Sequence, residues 1–202
     1  MADNDVETPT ARERAKTERQ DALVRAASAL FARKGFAAVS IEELGAAVGV
    51  SGPALYRHFA GKQALLGEIL VGASERLLEG GRAVIAAHDD PGDQLDALVR
   101  FHVAFALADA DVIRVQDRDL ENLHDPDRHR VRRLQREYVE LWTRVLQHRH
   151  PDVPATHLRV RAHAVFGLIN STPHSVRGLR GAPGDQTVGA ILHDLALRAL
   201  DA

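Results

Sequence analysis

The chain has 202 residues, with 26 Lys+Arg against 28 Asp+Glu, 45% hydrophobic residues and no Cys, which excludes a disordered, collagen-like or disulfide-stapled chain. Without Cys there is no thiolate metal site and no cysteine nucleophile, and a cytoplasmic setting is expected. Residues 1–22 lack the apolar core of a signal peptide and no apolar run nears the ~20 residues of a membrane span, so a soluble protein with no membrane partner is predicted.

Charge is uneven along the chain. Residues 12–62 carry nine basic and five acidic side chains, net +4, whereas residues 63–202 carry net −3. A cationic N-terminal unit on a weakly acidic body suits a DNA-reading head joined to a domain that does something else.

In chain order, residues 1–16 read as a disordered arm, because they show no apolar periodicity. A first helix is predicted over residues 17–34, with Leu23, Ala27, Leu30 and Phe31 on one face and Gly35 as its stop. Ser40 and Glu43 form a capping box for a short second helix that carries Ile41, Leu44 and Val48. Ser51 caps a third helix with Pro53 in its first turn, Leu55 and Phe59 inward, and Gly61 at its end. A long fourth helix runs from Lys62 towards residue 87, and HDDPGD at 88–93 reads as a break.

Helical patterns then cover residues 94–107, 111–123, 126–148 and 154–177. A Gly/Pro-rich linker at 178–184 precedes a last helix over 185–200, with Val188, Ile191, Leu192 and Leu195 inward. No strand pattern appears. The prediction is therefore an all-α fold of about nine helices: a three-helix helix-turn-helix domain over residues 17–62, then a helical bundle over residues 63–202.

The second and third helices, joined by a tight Gly-containing turn, have the form of a helix-turn-helix. Leu55 and Phe59 anchor the reading helix, which frees Ser51, Gly52, Ala54, Arg57 and His58 to meet base edges or phosphates. Lys62 opens the next helix, where its ammonium and the free N–H groups of the helix end favour a phosphate.

The segments FARKGF at 31–36, SIEEL at 40–44, AVGVS at 47–51, ALYRHF at 54–59 and KQALL at 62–66 together resemble the N-terminal domain of TetR-family transcriptional regulators. The resemblance covers residues 17–66. It implies a homodimer, a variable ligand-binding C-terminal domain, a recognition helix at 51–59, and phosphate contacts at Tyr56 and Lys62. Members often have Tyr or Ser where Arg57 stands, so Arg57 is expected to add a phosphate or guanine contact.

In the body, His102 shares a face with Leu95, Leu98, Val99, Phe105 and Ala106, as a core histidine or a polar anchor in a ligand site. The candidate pocket residues are His102, Phe105, Leu120, Trp142, Phe166 and Asn170, the last opening the polar stretch Asn170–His174 around Pro173. Arg128, Arg130, Arg132, Arg133 and Arg136, near Asp117, Arg118, Asp119 and Glu121, read as a solvated ion-pair face or as a site for a phosphorylated ligand such as an acyl-coenzyme A. His124, His129, Asp125 and Asp127, or His148 and His150, have metal-ligating side chains without helical ligand spacing, so no metal and no cofactor is predicted. Pairing of residues 154–177 and 185–200 with a second copy is expected, through Ala162, Gly167 and Ser171 against Val188, Ile191 and Leu195, with Gly167 and Leu192 as its sensitive positions.

No catalytic residues are assigned. GVSGP at 49–53 lacks the final Gly of a G-x-S-x-G elbow, no strand precedes Gly178, Gly181 and Gly184, and no H-E-x-x-H or P-loop pattern occurs. The reading is a DNA-binding repressor released from a palindromic double-stranded operator by a small hydrophobic or amphipathic effector. Its alternatives are a helical DNA-binding protein without ligand control and a helical enzyme. The long fourth helix is the expected lever between effector and head.

Overall fold

The computed structural model describes residues 10–47, 49, 55–56, 59–176 and 179–202, with residues 11–19 and 174 described by backbone alone. Among the described residues the chain is all-helical: α1 (Ala11–Lys34), α2 (Ile41–Ala47), α3 (Lys62–Ala86), α4 (Pro91–Ala108), α5 (Ala110–Asp119) with a 3-10 turn (Leu120–Asn122), α6 (Asp125–Arg149), α7 (Ala155–Val176) and α8 (Asp185–Asp201). The recognition helix expected from Ser51 falls largely outside the described residues.

Helix α1 begins inside the stretch expected to be an arm. Residues 11–20 are Ala, Arg, Glu, Lys, Gln and one Thr, most of them strong helix formers, and they lack the apolar residues that a periodicity argument needs. The helix ends at Gly35, whose φ of 89° is a left-handed conformation and whose N–H bonds Phe31 O at 2.8 Å. The capping box forms as predicted: Ser40 N–H donates to Glu43 Oε2 at 3.0 Å, and Glu43 N–H donates to Ser40 Oγ at 3.1 Å. Lys34 also bonds the Glu43 carboxylate, tying α1 to α2 and holding that carboxyl below the usual range.

The body is built on α3, which packs against α4 and α6, while α8 closes the far side against α4 and α7. Helix α4 starts three residues before the expected residue 94, because Asp90 caps it by accepting from Gly92 and Asp93 N–H and Pro91 fills the first helical position. Close approach accounts for Gly81 in the middle of α3: a Cβ there would lie 2.7 Å from Tyr138 Cε2. Leu66, Leu70, Leu98, Trp142, Leu146, Leu158 and Ile169 are fully buried between these helices.

In α8 the expected inward set divides. Val188, Leu192, Ala196 and Leu200 are buried, whereas Ile191 and Leu195 are 49% and 44% exposed. Ala162 is likewise buried in the protomer and Gly167 is exposed on the outer face of α7. Leu192 therefore supports the protomer core, and the outward pair is Ile191 and Leu195.

The N-terminal helices join the body through α5 as well as α3. The Arg118 guanidinium donates to Phe31 O and, at 3.3 Å, to Ala32 O, the last-turn carbonyls of α1. Its neighbour Asp119, 5% exposed, accepts from Phe36 N–H at 3.4 Å and pairs with Arg118 at 2.8 Å. Arg118 thus supplies a donor to the Ala32 carbonyl at the helix end, where carbonyls lack intrahelical partners, and a second donor to Phe31 O, which Gly35 N–H already bonds. The connection between body and head thus has a second strut besides the long helix.

Candidate nucleic-acid interface and buried polar cluster

Leu55 and Phe59 are 2% and 7% exposed, joined by a Phe59 N–H to Leu55 O bond of 3.0 Å, so this helical turn faces the core as the spacing requires. Tyr56, between them, is 58% exposed. Of the other predicted DNA-contacting residues, Ser51, Gly52, Ala54, Arg57 and His58 lie outside the described residues.

Lys62 has a different occupation from the phosphate contact expected of it. Its Nζ donates to Phe36 O at 2.8 Å, Val39 O at 2.8 Å and Ala37 O at 3.4 Å, and sits 4.5 Å from the centre of the Phe36 ring. All three ammonium N–H groups are therefore engaged with the turn between α1 and α2. The carbonyls of this turn reach the ammonium before any phosphate can. Lys62→Ala should lower stability by about 1.5–3 kcal/mol, the range for hydrogen bonds to a charged group. Thermal unfolding read beside the salt dependence of DNA binding checks this, since loss of a phosphate contact alone would reduce the salt slope by about one and leave the melting temperature in place.

In the body, His102 is buried at 2% exposure among rings: Phe166 at 4.8 Å between centroids, Tyr138 at 5.7 Å, Trp142 at 5.9 Å and Phe105 at 6.4 Å. Its two nitrogens are both satisfied. Asn170 Oδ1, an acceptor, lies 3.1 Å from Nε2, which assigns the proton to Nε2, and Nδ1 then accepts from the Tyr138 hydroxyl at 3.2 Å. Five of the six candidate pocket residues come together here. Leu120 does not join them: it follows Asp119 in the 3-10 turn, at the junction with the N-terminal helices.

Tyr138 completes the cluster and was legible in the sequence only as one member of an apolar stripe. One polar group in the cluster is left over. The Trp142 Nε1–H is buried with no acceptor at hydrogen-bond geometry, although it is near enough to the Tyr138 hydroxyl to favour its ionised form slightly against the desolvation that raises its pKa. The rings themselves fill the space between the helices, with Phe166 half-buried at the edge.

Desolvation pushes the His102 imidazole down to about 4 from 6.5, so it is neutral at physiological pH. Between those values the unfolded chain binds a proton that the folded chain does not, so stability falls as pH drops from 6.5 towards 4. The loss should reach about 2 kcal/mol at pH 5. Urea unfolding at pH 7.5 and pH 5 should show this loss in the native chain and a smaller one in His102→Gln.

The arginines of the expected charged face separate. Arg118 and Asp119 serve the head junction; Arg128 pairs with Asp125 and Arg130 with Glu75; Arg132 meets Glu121 at 2.6 Å and Arg133 meets Glu137 at 4.0 Å. Among the described residues no three His, Asp or Glu side chains converge as metal ligands, so His124, His129, His148 and His150 do not assemble a site. No helix of the described residues is long and apolar enough to cross a membrane.

Residues 23–69 match the model for bacterial regulatory proteins of the tetR family, and residues 88–200 match a tetracyclin repressor-like C-terminal domain. The chain is 29% identical over 133 residues to the HTH-type transcriptional repressor KstR2 of Rhodococcus jostii, covering 65% of this chain and 65% of that protein, so the alignment spans just under two thirds of the relative. A TetR-family regulator from Bordetella parapertussis superposes with a TM-score of 0.77 at 26% identity, over 88% of this chain and 93% of that one. AibR, solved with isovaleryl coenzyme A and operator DNA, shares the fold with a TM-score of 0.72 at 17% identity, over 88% of this chain and 97% of its own. The C-terminal match alone spans more than half of the sequence and the N-terminal match covers the head, so the chain belongs to the TetR family of bacterial regulatory proteins, which are DNA-binding transcriptional regulators rather than enzymes.

Proposed function

We propose that this regulator is a homodimeric repressor that leaves a pseudo-palindromic operator when a small hydrophobic or amphipathic molecule binds in its body. The observation that carries the effector half is the unpartnered indole N–H of Trp142, set beside the His102–Tyr138–Asn170 network in an otherwise apolar cluster. Mainly apolar walls with a few convergent polar groups are the usual form of a small-molecule site, and a buried donor without an acceptor gains from a ligand that supplies one. Entry requires Phe166 to swing aside, since the rings are in contact.

The DNA half rests on the cationic head, with Ser51, Gly52, Ala54, Tyr56, Arg57 and His58 meeting the operator in the cytoplasm and Lys62 bracing the turn behind them. Repression is the sense given in the name of KstR2, and AibR supplies the precedent of an effector and an operator on one fold. An effector changes DNA affinity only by favouring the arrangement that binds DNA less well. Arg118, which holds the end of α1 from α5, is placed to pass that difference on.

The test is a thermal-shift screen of hydrophobic and amphipathic compounds, followed by fluorescence anisotropy on the DNA flanking the protein's own gene. A stabilising compound should weaken operator binding, and saturating operator should weaken that compound's binding by the same factor. Stabilising compounds that leave DNA affinity unchanged would favour a DNA-binding protein without ligand control.

A further inference from the structure

Along the outer side of α6, towards the N-terminal half of α7, runs a groove of about 850 Å³. Arg82, Arg132, Arg133, Arg136, Arg144 and Arg159 line it, against only two carboxylates, Glu137 and Glu140. Both carboxylates are already engaged: Glu137 accepts from Arg82 at 2.9 Å and faces Arg133 at 4.0 Å, while Glu140 accepts from Arg159 Nε at 2.9 Å. Arg132 turns to Glu121, outside the groove. Arg136 and Arg144 are exposed, and among the described residues neither has an acidic partner.

We infer that this groove binds the phosphate groups of an amphipathic organic anion. That assignment rests on the effector reading above only for its link to DNA release. Arg132, Arg136, Glu140 and Arg144 recur every four residues and so form one row on α6; Arg132 is paired with Glu121 and Glu140 with Arg159, which leaves Arg136 and Arg144 to repel each other without an acidic partner among the described residues. A bound polyanion removes that repulsion. The guanidinium fork matches phosphate oxygens two at a time, and Arg136 and Arg144, with stations about 12 Å apart along the helix, can converge on one polyphosphate from both sides.

The groove also adjoins the buried cluster. His163 lines it and packs edge-on against Phe166 at 6.3 Å, and Phe166 stacks on His102 at 4.8 Å. A molecule with its phosphates on the arginines therefore has His163 and then Phe166 on the way from the groove to the Trp142 indole. Duplex DNA fits less well, because the groove has the size of a small-molecule site and its arginines are interrupted by Glu137 and Glu140.

The test uses the full chain without DNA, so it is independent of operator release. Sodium tripolyphosphate and coenzyme A are titrated calorimetrically at physiological salt into the native protein, Arg136→Ala/Arg144→Ala, and Arg114→Ala/Arg180→Ala as a control of equal charge outside the groove. Both probes should bind the native protein and the control, and weaken at least tenfold in the Arg136/Arg144 variant. Coenzyme A binding tenfold or more tighter than tripolyphosphate identifies a nucleotide-type headgroup as the source of the phosphates; equal or weaker binding of coenzyme A would identify inorganic polyphosphate and overturn the assignment to an organic anion. Absence of binding by both probes, equal binding by the Arg136/Arg144 variant, or displacement of both by a random-sequence duplex would overturn the assignment. If coenzyme A binds through these arginines yet no coenzyme A thioester releases operator, the site stands and its link to DNA release falls.

Discussion

Ile191→Glu/Leu195→Glu should convert the protein to folded monomers and lower operator affinity by about 10²–10⁴-fold, the factor gained when two linked half-sites are engaged together. Ile191 and Leu195 lie four apart on α8, each nearly half exposed, and Val160 on α7 is 67% exposed. Ala164, Gly167 and Ser171 are also exposed on α7, so a partner helix has small residues to approach and large aliphatic ones to cover. Glutamates at 191 and 195 would place like charges against their symmetry mates in such an interface. Light scattering and anisotropy on the same samples check both effects. Leu192→Glu provides the contrast: at 1% exposure it lies inside the protomer, and its charge should unfold the chain instead of dividing a dimer. A dimer that persists with both glutamates would place the interface elsewhere.

Trp142→Ala should destabilise the chain by about 3–5 kcal/mol, the range for truncating a large buried aromatic ring. The indole is fully buried and meets Phe166 at 5.0 Å, His102 at 5.9 Å and Tyr138 at 6.2 Å, so its removal loosens the wall between α4, α6 and α7 at once. At about 2–4 °C per kcal/mol for a domain of this size, the melting temperature should fall by about 6–20 °C. Trp142→Phe keeps much of the ring packing and removes the unpartnered N–H, which by itself costs about 1–3 kcal/mol when buried. The Phe variant should therefore lose well under half of what the Ala variant loses. Calorimetric melts of the two variants separate packing from hydrogen bonding, and equal losses would mean that the indole N–H is not an uncompensated group.

Local signals decided much of this protein in advance. The Ser40–Glu43 box, the Gly35 stop and the apolar stripes along α3 and α6 each depend on residues within a few positions of one another, and a helix satisfies its own backbone regardless of what it packs against. The head was legible because its five motifs lie within a short span of sequence and together resemble one family, whose model matches residues 23–69. Where periodicity had no apolar residues to register, as in residues 11–16, the helix was missed; where Asp90 and Pro91 were read as a break, they start α4.

Only the tertiary structure decided how these elements divide their side chains. The apolar residues of α8 cover an arc wide enough for two neighbours, and nothing local says that Leu192 faces its own protomer while Ile191 faces outward. Lys62 reads as a free cation at a helix start until three carbonyls from the α1–α2 turn, 23 to 26 positions earlier, arrive beside it. His102, Tyr138 and Asn170 are 36 and 68 positions from one another along the hydrogen-bonded network, and among the described residues Arg136 and Arg144 stand without acids because neighbouring arginines hold the nearby carboxylates. Sequence fixes what each helix can bury and which charges it carries; which donor meets which acceptor depends on how helices distant in the chain pack, because hydrogen bonds and ion pairs act over a few ångströms of space rather than along the sequence.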